Sequence, residues 1–260
     1  DRTIEDLTGK DCASGSKRAI AEVPENSVLT LPAVLFNSCD AAVEKEQQET
    51  TVWTGAESDS WNIAENWSDG FVPMDNKVVF NVVDAPASKL SVASSIIALV
   101  MGDNGPGGVL TVSDGGALTT TAGWSAIGYS DTATLIVETG GAVTFAEHMW
   151  VGFNAGSNAT VIIDGGTINI PNQIGLGWNG GIGTVEVKDG VLNCTDLDAA
   201  QSIGDGSSID ITRGTVNFAG DKTEAINAFI LAGKITAYGG EGTVHVTMVD
   251  DNTVLTAIAP

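Results

Sequence analysis

Very few side chains in this sequence could carry out covalent or acid–base chemistry. The two histidines, His148 and His245, stand far apart in the chain, so spacing gives no support to a Ser-His-Asp set. Cys12, Cys39 and Cys194 lack zinc-ligand spacing, and the nonapeptide pattern of a Ca²⁺ roll is missing. Asp114, Glu138, Asp164 and Asp189 each come just before a glycine turn. Hydrolysis of a glycosidic bond would set two such carboxyl groups roughly 5–10 Å apart across a cleft. Turn chemistry accounts for the same residues, because an acidic side chain there accepts hydrogen bonds from its own backbone. Elimination from a uronic acid would need a base, plus cations that neutralise the substrate carboxylate. Between residues 108 and 220 the basic side chains are Lys188 and Arg213, with His148 beside them. That is a poor set for the reaction, and the chain reads as a non-enzyme.

Aromatic residues are the better candidates for direct ligand contact. Tyr129, Phe153 and Trp178 each follow a glycine at one recurring phase, and Asn154 and Asn179 stand beside the last two. Exposed rings stack on sugar rings, and neighbouring amides hydrogen-bond hydroxyls. The same rings could face a neighbouring subunit, shield a corner of the fold or stack for stability. Trp124 and Trp150 read as core or corner residues.

The elements that must position these residues repeat. Glycines 116, 141, 166, 190 and 214 recur every 24 or 25 residues. Two residues after each stand Leu118, Val143, Ile168, Leu192 and Val216, and four after each stand Thr120, Phe145, Ile170, Cys194 and Phe218. Between these two columns run Thr119, Thr144, Asn169, Asn193 and Asn217, which is the alternation of a strand. A second strand precedes each glycine, as in Leu135 and Val137 or Val185 and Val187. A third short element ends at Gly102, Gly128, Gly152, Gly177 and Gly204, where the chain bends at fixed phase. Three short strands per period of about 25, with no helical pattern between them, predict an all-β, parallel β-solenoid of about five to six coils. Equal phases then stack about 4.8 Å apart, the apolar columns form the core, and Cys194 is a buried apolar filler.

Four segments follow: 1–50, a possible cap or strand-exchange arm; 51–107, the entry to the solenoid; 108–220, the regular repeats; and 221–260, a C-terminal cap. Within the first, "SVLTLPAVLF" (27–36) reads as extended and limited to an edge by Pro32, and Cys12 and Cys39 could close a loop as a disulfide. In the last, Asp221 is a candidate N-cap, Ile226, Phe229 and Ile230 keep helical spacing, and Gly233 is a stop. Sequons stand at Asn66, Asn158 and Asn193, the last being the least suited to modification because it lies in a packed strand.

The stretch "WTGAESDSWNIAENWSDGFVPMDNKVVF" (53–80) resembles the opening of secreted bacterial β-helix proteins of the autotransporter-passenger-like, pectin-lyase-like type. The matching positions are Trp53, Trp61, Asn66, Trp67, Ser68, Gly70, Pro73, Asp75 and Val78. The ending, 229–258, is similar to the closing segment of such proteins. The resemblance implies export and a right-handed solenoid, and it carries no shared reaction.

Charge narrows the partners. The formal net charge is -22, from 33 acidic and 11 basic residues, and no Lys or Arg occurs between Lys89 and Lys188. Nucleic-acid binding draws most of its affinity from cations set against phosphates, so that class is nearly excluded, and the same argument weighs against anionic lipid surfaces. No apolar run reaches the length of a membrane helix. The expectation is a secreted or cell-surface structural protein that associates with itself into a filament, sheath or surface layer. A polysaccharide is the alternative partner, through an adhesive use of the aromatic ladder, and a polysaccharide lyase or hydrolase comes after that. No cofactor is called for, although Ca²⁺ could be held by scattered Asp side chains and loop carbonyls.

Overall fold

The computed structural model describes residues 50–200 and 202–260, which fall in one compact unit, Gln48–Pro260. The readings for residues 1–49, including the Cys12–Cys39 pair, the 27–36 segment and the arm, lie outside the described residues. The entry holds strands β1 (Thr50–Val52), β2 (Lys77–Phe80), β3 (Ser88–Leu90), β4 (Ala93–Ile96) and β5 (Ala98–Met101). Next come β6 (Val109–Val112), β7 (Ala117–Thr120), β8 (Ser125–Ile127), β9 (Ala133–Glu138), β10 (Ala142–Thr144) and β11 (Met149–Val151). Two long strands, β12 (Asn158–Leu176) and β13 (Ile182–Leu197), run on around corners through register shifts. The chain ends with β14 (Ser208–Ile211), β15 (Thr215–Ala219), helix α1 (Thr223–Leu231), β16 (Ile235–Ala237), β17 (Thr243–Val249) and β18 (Asn252–Ile258).

All of these strands except β17 and β18 stack in parallel into three sheets. The first joins β1, β2, β5, β8, β11 and the end of β12, with Val100 opposite Ala126 and Trp150 opposite Gly175. The second runs from β3 through β6, β9, β12, β13 and β14 to β16. The third contains β4, β7, β10, β12, β13 and β15. The result is the β-solenoid that the sequence period predicts. It has about eight turns rather than five to six. The additional turns come from the entry, which coils without the glycine phase of the later repeats, and from β16, which continues the second sheet past the last glycine of the series. The link from Lys77 to Ala98 is also a shorter coil than the one from Val100 to Ala126, so a search at fixed period passes over it.

Alternation places the core as expected. Leu118, Val143, Ile168, Leu192 and Val216 are buried, and so are Phe145, Ile170, Cys194 and Phe218 in the second column. Each such side chain contributes roughly 1.5–3 kcal/mol by leaving water. On the outer side of the third sheet, the Asn193 side-chain amide donates to Asn169 Oδ1 (2.9 Å) and that of Asn217 donates to Asn193 Oδ1 (2.7 Å), so the polar column is a hydrogen-bonded ladder.

The first turn is closed by aromatic packing. Trp53, Trp61, Trp67 and Phe80 are buried together, and Trp67 meets Trp53 and Trp61 edge-on at 5.0 and 4.7 Å. Asn66 is 0% exposed. Its Oδ1 accepts the Glu57 and Ser58 backbone N–H groups (2.8 and 2.9 Å), and its Nδ2 donates to Ser58 Oγ (3.1 Å) and Ser60 O (2.8 Å). Ser68 Oγ accepts from Val52 N–H, and the Trp67 indole donates to Trp61 O. The Trp…Asn-Trp-Ser opening is therefore a structural plug. Of the sequons, Asn66 is closed off in the fold and Asn158 is exposed.

The other end is capped differently. The N-cap of the helix is Lys222, without a side-chain cap bond, and not Asp221, which lies one residue further out; Asp221 accepts the Thr223 N–H at 3.0 Å, and hydrogen bonding to Thr223 holds its carboxyl below the usual range. The helix ends at Gly233 (φ 70°), where Lys234 N–H bonds to Phe229 O and Gly233 N–H bonds to Ile230 O, a Schellman closure. Strands β17 and β18 form a hairpin whose turn, Asp250 and Asp251, has positive φ at both residues. Strand β18 pairs antiparallel with β15 and covers the open edge of the third sheet.

Candidate functional site

The aromatic residues converge on the outer side of the first sheet. Because Ser125 and Ile127 point inward from β8, and Met149 and Val151 from β11, the alternating positions Trp124, Ala126 and Trp150 point outward. In register along this outer side lie Val79, Val100, Ala126, Trp150 and Gly175, an apolar column where the third sheet carries amides. Trp150 lies so close over Gly175 that a Cβ there would sit 2.4 Å from the indole Cζ3. The corner glycines Gly102, Gly128, Gly152 and Gly177 all have φ near +70° (77, 74, 68 and 69°), which fixes the phase of the rings that follow.

Six rings meet there. Tyr129 and Phe153 stack at 5.2 Å, and Phe153 and Trp178 at 6.2 Å, each pair within 20° of parallel. Trp124 joins the same stack, 5.6 Å from Tyr129 and 6.0 Å from Phe153. Trp150 meets Phe153 edge-on at 5.5 Å and Trp178 at 4.8 Å, and His148 lies parallel to Trp150 at 5.7 Å. The predicted Tyr129, Phe153 and Trp178 ladder therefore exists, and it is wider than the sequence reading allowed. Trp124 is 41% exposed, and Trp150 lies on the outer surface instead of in the core. Alternation back from Ile127 and Val151 is the signal that would have placed both. Beside the rings the Asn179 side chain donates to Asn154 Oδ1 at 3.1 Å.

The acidic residues line another corner. Asp164 pairs in register with Glu138 and with Asp189, and Asp164, Glu138, Asp114, Lys89 and Ser91 line a shallow open groove. Asp189 accepts the Gly190 N–H at 3.0 Å and lies 3.9 Å from Arg213 Nε, as turn chemistry requires. Among the described residues no group of three or more His, Cys, Asp and Glu side chains is set to hold a metal. His148 Nε2 lies 3.2 Å from Gln173 Oε1, whereas His245 is on the exposed side of β17. Burial, with a further contribution from Asp196, pushes the Cys194 thiol far above its ordinary range, which leaves it a packing group rather than a nucleophile. No helix among the described residues is long and apolar enough to cross a membrane. Comparison with family models, curated proteins and solved structures gives no match to this chain.

Proposed function

We propose that this chain is a non-catalytic structural protein, an exported β-solenoid subunit that associates with copies of itself into a filament, sheath or surface layer. The observation that carries the proposal is strand β17. Among the described residues it pairs with β18 alone, so its second edge offers a row of backbone donors and acceptors. Natural edge strands are usually blunted by Lys, Pro or a bulge, yet β17 reads TVHVTMV. In a chain with net charge -22 this segment holds no acid, and at its tip Met248 and Val249 are 46 and 50% exposed. A short apolar strand rich in β-branched residues and without net charge is the composition that pairs with another strand. The occupant is a second copy of this chain, and residues 1–50 are the candidate for the further contact that turns pairs into a polymer.

Export is supported by the resemblance of residues 53–80 to the opening of autotransporter-passenger-like, pectin-lyase-like right-handed β-helix proteins. Negative-stain electron microscopy of the purified chain, with and without Ca²⁺, tests the reading. Elongated or layered assemblies are expected. Monodisperse monomers at high concentration in both conditions would overturn it.

A further inference from the structure

We infer that the aromatic surface on the first sheet is a binding site for a neutral polysaccharide, anchored by Trp124 and extended across three coils by Tyr129, Phe153 and Trp178. Three observations support it. First, the rings cover much of one another, but Trp124 is 41% exposed, so apolar indole surface stays open for a pyranose ring to cover. Second, the rings come one per coil, with centroids 5.2 and 6.2 Å apart, so contacts recur along the solenoid axis and suit a linear, repeating ligand better than a compact one. Third, the amide pair Asn154 and Asn179 lies at the same phase directly after Phe153 and Trp178, and Asn179 is exposed, which places hydrogen-bonding groups where ring hydroxyls would project.

Charge selects the ligand class. The whole segment between Lys89 and Lys188 lacks Lys and Arg, and Asp131 and Glu147 flank the aromatic residues in sequence. A uronate or sulfated polymer would bring anions to a surface with no cation to meet them, whereas a neutral glucan or mannan brings only hydroxyls and apolar ring faces. The site is independent of the β17 edge.

Affinity electrophoresis of the full chain in gels containing mixed-linkage β-glucan, galactomannan or polygalacturonate tests it, with tryptophan fluorescence titration as the second readout. Retardation by at least one of the two neutral polymers is expected, with none by polygalacturonate. Trp124→Ala, at an exposed position, should weaken retention at least tenfold with an unchanged circular dichroism spectrum, and Asn179→Ala should weaken it less. Absence of retardation in both neutral polymers, equal retention by polygalacturonate, or full retention by Trp124→Ala would each overturn the assignment. Should Trp124→Ala instead change the oligomeric state and leave retention intact, the surface serves contact between copies and not a glycan.

Discussion

Replacing Asn66 with alanine should loosen the N-terminal end of the solenoid while leaving the middle intact. The substitution removes four hydrogen bonds from a fully buried amide. Two of these are the acceptors for the Glu57 and Ser58 backbone N–H groups. An unsatisfied buried backbone donor costs about 1–3 kcal/mol. Because Glu57 is exposed and Ser58 is half-buried, water recovers part of that loss. The net destabilisation is then about 2–4 kcal/mol, which for a unit of this size lowers Tm by roughly 5–15 °C. Solenoid coils contact only their neighbours, so the loss should be local. Hydrogen exchange followed by mass spectrometry should show faster exchange in β1 and β2 and unchanged protection in β12 and β13. Asn158→Ala, at an exposed asparagine, is the control and should change neither quantity. Unchanged protection of β1 and β2 in Asn66→Ala would refute the assignment of the opening motif as a buried plug.

Other substitutions test other parts of the fold. Gly175→Ala should displace the Trp150 indole, costing about 1–3 kcal/mol and altering the near-ultraviolet circular dichroism of the aromatic stack; an unchanged spectrum would contradict the close packing of ring on backbone. Asn193→Ala breaks the ladder to Asn169 and to Asn217 and should cost about 1–3 kcal/mol in urea unfolding, against a negligible change for a ladder without energetic weight. Cys194 should resist a thiol reagent in the native protein and react fully only in denaturant, and rapid native labelling would contradict its burial. Asp221 has a folded-state carboxyl held below the ordinary range, so its contribution is present above that range and lost as pH falls through the lowered value. The stability difference between the native chain and Asp221→Ala should therefore be constant near neutrality and vanish in acid; a difference that grows in acid would contradict the bond from Thr223 to Asp221.

The regular coils were legible because one physical rule, stacking at equal phase, forces one sequence period. The two inward columns, Leu118 to Val216 and Phe145 to Phe218, could be read from the glycine spacing, including the unusual use of Cys194 in a column of Phe and Ile. The entry was less legible, since its coils differ in length and close by packing indoles, not by repeating a turn. The role of Asn66 depends on amides that its own fold brings together, and nothing in the spacing marks a buried Asn in advance. Trp124 and Trp150 were legible only as core or corner residues, for a different reason. In a strand of three residues the inner and outer faces differ by a single step, and the bulk of tryptophan argues for burial where alternation argues for the surface. The geometry of the rings depends on side-chain packing, which the period alone does not specify.

Self-association through β17 is tested most directly by sedimentation velocity over a range of concentrations, comparing the native chain with the double variant Met248→Lys, Val249→Lys. Both positions are exposed, so charge can be placed on the edge strand without disturbing the core. The native chain should sediment as species larger than a monomer, increasingly so with concentration, and the double variant should shift toward the monomer. A native chain that sediments as a monomer at every concentration, or a double variant that assembles as the native chain does, would contradict a structural role built on this edge.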